Sequence, residues 1–265
     1  MLMKTSAASR TASTIATDVA WAGRILALYG QGDLTLGHVS ARGSGRGGGR
    51  VHMKRKGIGL EEVTAADVLT LDADGRKIGG AGTPHLEVVL HTEVFRARDD
   101  VGAVVHTHPI YATALSAVAA NLQYVTHDAV MFPEGIGIFE DTADLVLTSE
   151  VGAAVARALG PRRAVLLRNH GVLTAGKDVR WAVLAALTLE RAVRMQAVAE
   201  SLGILKPIPD SMIAAQHASK YRESFLDEYW TYWIRCVRRA GLDDGMPRGS
   251  PRPPRPADRG ARGPR

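Results

Sequence analysis

With 265 residues, 46% of them hydrophobic and 23% charged, the chain is long and apolar enough to bury a substantial core, which excludes wholesale disorder and a disulfide-stapled miniprotein. The single cysteine, Cys236, can form neither an internal disulfide nor a CxxC metal site, so any metal must use histidine and carboxylate ligands, and a reducing, cytoplasmic setting is the simplest expectation. The net charge of +6 is concentrated at one end: residues 246–265 hold six arginines against one acid, Asp258, together with six of the twelve prolines, so the body is close to neutral and no specific nucleic-acid partner is expected.

In chain order, residues 1–14 read as a flexible leader, 15–245 as one domain and 246–265 as a disordered Pro/Arg-rich tail. Apolar residues from Val19 to Leu28 recur at helical spacing, predicting a helix over 17–29 that stops at Gly30. His38–Arg42, Val51–Lys54 and Val68–Asp72 read as short strands, with turns at the glycine-rich Gly43–Gly49 and at Asp74-Gly75. Pro84 opens a helix running to Ala97, which leads into a strand over Ala103–Thr107. Val101–His127 is the longest run without Asp, Glu, Lys or Arg, yet its His106, His108, Pro109, Asn121 and Gln123 fit a buried strand and helix rather than a membrane span. A helix over 144–159, a strand over 164–167, a helix from the Asp178 cap to about Leu202 and a last helix within 210–240 complete the reading. The order of elements predicts one α/β domain around a central, largely antiparallel sheet.

The chemistry concentrates in Val104-Val105-His106-Thr107-His108-Pro109. Residues two apart on a strand point to one face, so His106 and His108 can present two imidazoles to one ion, although His-x-His also occurs as a solvated pair. His170, in Arg168-Asn169-His170-Gly171 directly after another buried strand, supplies a third imidazole if Gly171 lets the backbone turn back toward the sheet edge. Glu87, on the preceding helix, can be a fourth ligand or a proton carrier; His91, four residues on and on the same face, competes for that role. Lys54-Arg55-Lys56 beside Gly57 is a cation cluster suited to a carboxylate, or a solvated basic turn.

Taken together, Gly37-His38-Val39-Ser40, Glu87, His106-Thr107-His108-Pro109 and Arg168-Asn169-His170-Gly171-Val172-Leu173 resemble the class II aldolase/adducin family over roughly residues 15–235. The resemblance implies a three-layer α/β/α fold with a central, mainly antiparallel sheet, and a homotetramer with active sites between subunits. It also implies His106, His108 and His170 as ligands of a divalent metal, zinc first and manganese, iron or cobalt next, with Glu87 as catalytic acid/base. The family's sugar-phosphate aldolases cradle phosphate with a Gly-Asn-x-Ser segment, a Thr-Gly turn and a Ser-Ser pair before the acid. Here those positions read His38 and Ser40, Lys56-Gly57, and His85-Leu86, and a leucine cannot donate to phosphate. His127 aligns approximately with the tyrosine that serves there as proton donor from a neighbouring subunit.

A metal site kept while the phosphate cradle is lost implies a small-molecule carbon–carbon lyase, specifically a decarboxylase of a hydroxyaromatic carboxylate such as dihydroxyphthalate. His38, Ser40, Lys54, Arg55, Lys56, Gly57 and His85 are its expected substrate contacts, with Glu87 and His127 catalytic. Alternatives within the resemblance are an aldolase acting on an unphosphorylated hydroxy-keto acid or a sugar phosphate, an iron-dependent oxidative decarboxylase of a prenylated hydroxyphenylpyruvate, and an adducin-like interaction module without activity.

Overall fold

The computed structural model describes residues 12–43 and 49–248. The expectations for residues 1–11, for most of the glycine-rich turn and for the tail beyond residue 248 lie outside the described residues. Eight strands are present within them: β1 His38–Gly43, β2 Arg50–Lys54, β3 Val68–Leu71, β4 Lys77–Gly79, β5 Ala103–Thr107, β6 Gly137–Phe139, β7 Ala164–Leu167 and β8 Gly171–Gly176. Seven helices accompany them: α1 Ala12–Leu26, α2 Val88–Ala97, α3 Ile110–Ser116, α4 Ser149–Leu159, α5 Val179–Leu202, α6 Asp210–Lys220 and α7 Glu223–Arg239. The strands form one sheet in the order β4-β3-β2-β1-β5-β8-β7-β6, antiparallel throughout except for the β6–β7 pair.

The alternation of side chains along each strand divides the interior into two cores, one on each face of the sheet. Val39, Ala41, Val105, Leu166 and Val172 pack with α1, α5 and α7. Met53, Leu71, Val104, Val165 and Leu173 pack with Leu90 and Val94 of α2 and Val155 and Leu159 of α4. Helices thus cover both faces, and the chain is a three-layer α/β/α domain with a mainly antiparallel sheet. No helix among the described residues is long and apolar enough to cross a membrane.

The departures from the expected elements have local causes. Helix α2 starts at Val88 rather than at Pro84, leaving His85, Leu86 and Glu87 in a turn closed by Val88 N–H donating to His85 O at 3.3 Å. Helix α4 starts at Ser149 rather than Asp144, because the Thr148 hydroxyl caps it by accepting from Val151 N–H. The expected helix over 210–240 is two, broken at Tyr221, which lets α7 turn Leu226, Trp230, Ile234 and Val237 into the core. Strand β8 has no alternation to reveal it, since all six of its residues are buried.

Both domain boundaries extend further than expected. Residues 12–14, read as leader, form the first turn of α1. Met246, read as tail, is buried in the core beside α1 and α7. Arg24 of α1 holds this C-terminal segment down, its guanidinium donating to the carbonyls of Val63, Leu242, Glu62 and Asp244 at 2.6–3.1 Å. Arg24→Met keeps the apolar stem but strands four carbonyls, and should lower unfolding free energy by about 2–4 kcal/mol. Thermal denaturation should show this as a fall in Tm of roughly 5–15 °C.

Candidate active site

Strands β1 and β5 are antiparallel neighbours in a register that sets His38 directly opposite His106 and Ser40 opposite Val104. Val39 and Ala41 face α1 and α5, so His38 and Ser40 face the other way, toward α2. Pairing and alternation together therefore place two imidazoles and a hydroxyl on the face from which the turn before α2 delivers Glu87. All four side chains are buried.

Around Glu87 the imidazoles converge. One carboxylate oxygen, Oε1, accepts Val146 N–H at 3.0 Å and lies 3.6 Å from His170 Nε2. The other, Oε2, lies 3.7 Å from both His106 Nε2 and His38 Nε2. His106, His108 and His170 each bring a ring nitrogen within 4.8 Å of the others, and His38, Glu87 and His106 form an overlapping group of the same kind.

Two of the three candidate histidines are held from behind. His106 Nδ1–H donates to Val172 O and His108 Nδ1–H to Asp33 Oδ2, both at 3.0 Å. Thr107, between them, donates to Gln31 Oε1 at 2.7 Å, and the amide of Gln31 donates in turn to Ala186 O of α5. Glu190, also on α5, accepts the N–H groups of Tyr111 and Ala112 just beyond Pro109. His170 reaches the site through Asn169, whose φ of +55° makes the tight turn, rather than through Gly171 as expected. The role of Gly171 is space: a Cβ there would lie 2.8 Å from Thr107 O and 2.4 Å from His108 Cδ2.

These groups fit a divalent cation. With their Nδ1 protons committed to Val172 and Asp33, His106 and His108 turn bare Nε2 lone pairs toward each other at 3.1 Å, an arrangement that a shared cation satisfies and a neutral pair alone does not. Burial pushes the His106 pKa well below its usual value, reinforced by His38, His108 and His170 and opposed by Glu87. Burial lowers that of His170 as well. Neutral imidazole is the form that binds metal.

Of the other expected site residues, His85 lies over His38 with ring centroids 4.0 Å apart, and burial followed by Lys54 pushes its pKa down to about 4. His91 does not compete with Glu87 for the centre; it is fully buried behind His38, with Ser40 on its far side. Lys54, Arg55 and Lys56 do not form one cluster. Lys54 is buried, lowered to about 8 by desolvation, and donates to Thr35 O and Gly37 O at 3.0 Å, whereas Arg55 turns to Asp67 at 2.8 Å and Lys56 and Gly57 are exposed. His127 sits on an exposed loop, its ring apart from the histidine cluster among the described residues and its carbonyl accepting the Tyr221 hydroxyl at 3.1 Å. Sequence reasoning missed Gln31 and Asp33; their nearness to the Gly37-His38-Val39-Ser40 segment was the available signal.

The chain belongs to the class II aldolase and adducin family: the model of the Class II Aldolase and Adducin N-terminal domain matches residues 17–197. It is 31% identical over 218 residues to the 3,4-dihydroxyphthalate decarboxylase of Arthrobacter keyseri, covering 74% of this chain and 83% of that protein. It is 35% identical over 149 residues to the 4-hydroxy-3-prenylphenylpyruvate oxygenase/4-hydroxy-3-prenylbenzoate synthase of Streptomyces roseochromogenus subsp. oscitans, a match over 56% of this chain that spans only about half, 54%, of that relative. Among solved structures, an aldolase II superfamily protein from Pseudomonas syringae superposes with a TM-score of 0.78 at 29% identity, covering 89% of this chain and 96% of that one.

Asp33→Ala frees the His108 ring to rotate. Zinc affinity, measured by competition with a chelator, should fall about tenfold, the lower end of the range for such outer contacts, because Asp33 is partly exposed.

Proposed function

We propose that the chain is a metal-dependent carbon–carbon lyase that decarboxylates a hydroxyaromatic carboxylate of the dihydroxyphthalate type. The observation that carries this reading is the close, tilted pair of imidazoles, His38 and His85, beside a buried Glu87 and three convergent histidines, where a sugar-phosphate enzyme would keep an amide and a hydroxyl of its phosphate cradle. Leu86, half exposed in the same turn, adds an apolar contact rather than a donor. Neutral aromatic walls suit a planar aromatic acid better than a phosphate dianion. The similarity to a dihydroxyphthalate decarboxylase supports the same substrate class.

In this reading His106, His108 and His170 hold the metal, zinc first and manganese, iron or cobalt next. When bound, a divalent cation polarises a substrate oxygen and stabilises the negative charge that develops as the carbon–carbon bond breaks. Decarboxylation breaks the bond between ring carbon and carboxyl carbon, CO2 leaves, and the electron pair left on the ring carbon takes up one proton. Glu87 is placed to hold that proton: Val146 N–H fixes one oxygen and leaves Oε2 facing the space between His38 and His106. Lys56 and Gly57, exposed on the loop after β2, are the remaining contacts for a second carboxylate, since Arg55 is committed to Asp67 and Lys54 to two carbonyls. His127, exposed on its loop, serves a neighbouring subunit's site in a cytoplasmic homotetramer, which light scattering on the purified protein tests.

A second reading is favoured by the similarity to the Streptomyces oxygenase: an iron-dependent, oxygen-consuming cleavage of a prenylated hydroxyphenylpyruvate. Separate loading with zinc, manganese, iron or cobalt, with assays for CO2 from dihydroxyphthalates, for O2 uptake and for aldehyde release, distinguishes decarboxylase, oxygenase and aldolase. CO2 release without O2 uptake is the expected result; stoichiometric O2 uptake with iron alone overturns it.

Two substitutions test the division of labour. His106→Ala should abolish stoichiometric metal, measured by elemental analysis, with the circular dichroism spectrum retained. Glu87→Gln keeps an oxygen ligand but cannot carry a proton, so metal content should persist while turnover falls about 10²- to 10⁴-fold.

A further inference from the structure

Behind the site, Ser40 and His91 extend from His38 as a buried line of side chains whose arrangement the proposed chemistry does not itself explain. Ser40 Oγ lies 2.6 Å from His91 Nδ1, and His91 Nε2 lies 2.5 Å from His38 Nδ1. All three residues are completely enclosed. The line ends at His38 Nε2, a buried nitrogen with no hydrogen-bond partner, 3.7 Å from Glu87 Oε2.

Proton counting gives this line a direction. Each neutral ring carries one N–H, and a serine hydroxyl always carries one proton to donate. If His38 donated from Nδ1 to His91, then His91 would donate to Ser40, and the Ser40 proton would have no acceptor among the described residues. His38 would also turn a bare lone pair toward the Glu87 carboxylate. In the opposite direction Ser40 donates to His91 Nδ1, His91 Nε2–H donates to His38 Nδ1, and every buried proton has an acceptor up to the last one, on His38 Nε2.

We infer that Ser40 and His91 are positioning residues that fix His38 as the Nε2–H tautomer, so that His38 donates a hydrogen bond to a substrate oxygen beside Glu87 and is not a fourth metal ligand. The nature of that oxygen, a carboxylate or phenolate of an aromatic acid, rests on the function proposed above; the tautomer does not. A neutral donor enclosed by protein is oriented before the substrate arrives, so it favours developing oxygen charge without reorganisation. The line also reassigns Ser40, which the sequence offers as a substrate contact, to the support of His91.

The tautomer is read directly by long-range proton–nitrogen correlation spectra of the ¹⁵N-labelled full chain, metal-free and zinc-loaded, with the His38 ring assigned by its loss in His38→Asn. Protonated Nε2 and bare Nδ1 on His38 in both states is the expected result. A protonated Nδ1, or a His38 Nε2 shifted as a zinc ligand, overturns the inference in the wild-type protein, whether or not any variant folds.

Two variants of His91 add a functional readout. Glutamine can place an amide N–H where His91 Nε2 was, so His91→Gln should keep the His38 tautomer and turnover within about threefold. His91→Leu should lose both, with turnover down about 10- to 100-fold and zinc content unchanged. Equal turnover and an unchanged His38 spectrum in His91→Leu and Ser40→Ala would overturn the relay. An Nε2–H His38 in a protein that releases no CO2 from 3,4-dihydroxyphthalate or its isomers supports the relay and overturns only the substrate reading.

Discussion

The end of β5 is the constraint on which the rest depends, because this one short strand must pair on both edges while presenting His106 and His108. Pairing with β1 sets His38 opposite His106; pairing with β8 brings Val172 O to the back of the His106 ring and delivers His170 from the preceding turn. The two pairings are compatible only because β8 approaches closely, and that approach exists because Gly171 has no side chain to meet Thr107 O. A change in either register would rotate the histidines to the wrong face, since side chains alternate with a period of two.

Burying so many polar groups in the middle of a sheet is unfavourable unless each finds a partner. The pattern of partners is therefore informative. Peptide groups serve His106 and Glu87, a carboxylate serves His108, and a second layer of side chains serves His38. What is left unsatisfied lies at the centre, where Nε2 lone pairs, a carboxylate oxygen and one N–H converge. Within this cluster the one buried nitrogen without a hydrogen-bond partner, His38 Nε2, faces that centre, which marks it as a place where something external completes the network.

Much of this was legible in the sequence, for identifiable reasons. His-x-His in an apolar strand and a third histidine after a second strand are local patterns whose geometry comes from strand alternation alone. Helices with a clear cap, such as α5 behind Asp178, were equally readable. Where reading failed, a long-range partner decided. Nothing near Lys54 in sequence indicates that its ammonium is spent on Thr35 O and Gly37 O, and nothing near Met246 shows that Arg24 anchors the segment before it. The fully buried strand β8 carried no period to detect, and the turn through Asn169 was hidden by the adjacent glycine, whose conformational freedom made it the better candidate.

Helix α5 touches no substrate in any of these readings, yet it bears on both flanks of the His-x-His segment. Gln31 ties Thr107 to the carbonyl of Ala186, and Glu190, one helical turn further along, receives the N–H groups just past Pro109. Those two attachments make the helix a mount for the segment: a slip of α5 along its axis by a single residue rise, about 1.5 Å, would break the hydrogen bonds that hold both flanks of it. Tolerance to substitution in this protein should accordingly be poor along the continuously buried stretch of α5, residues 181–189, well removed from the chemistry, and good on much of the exposed surface nearer to it.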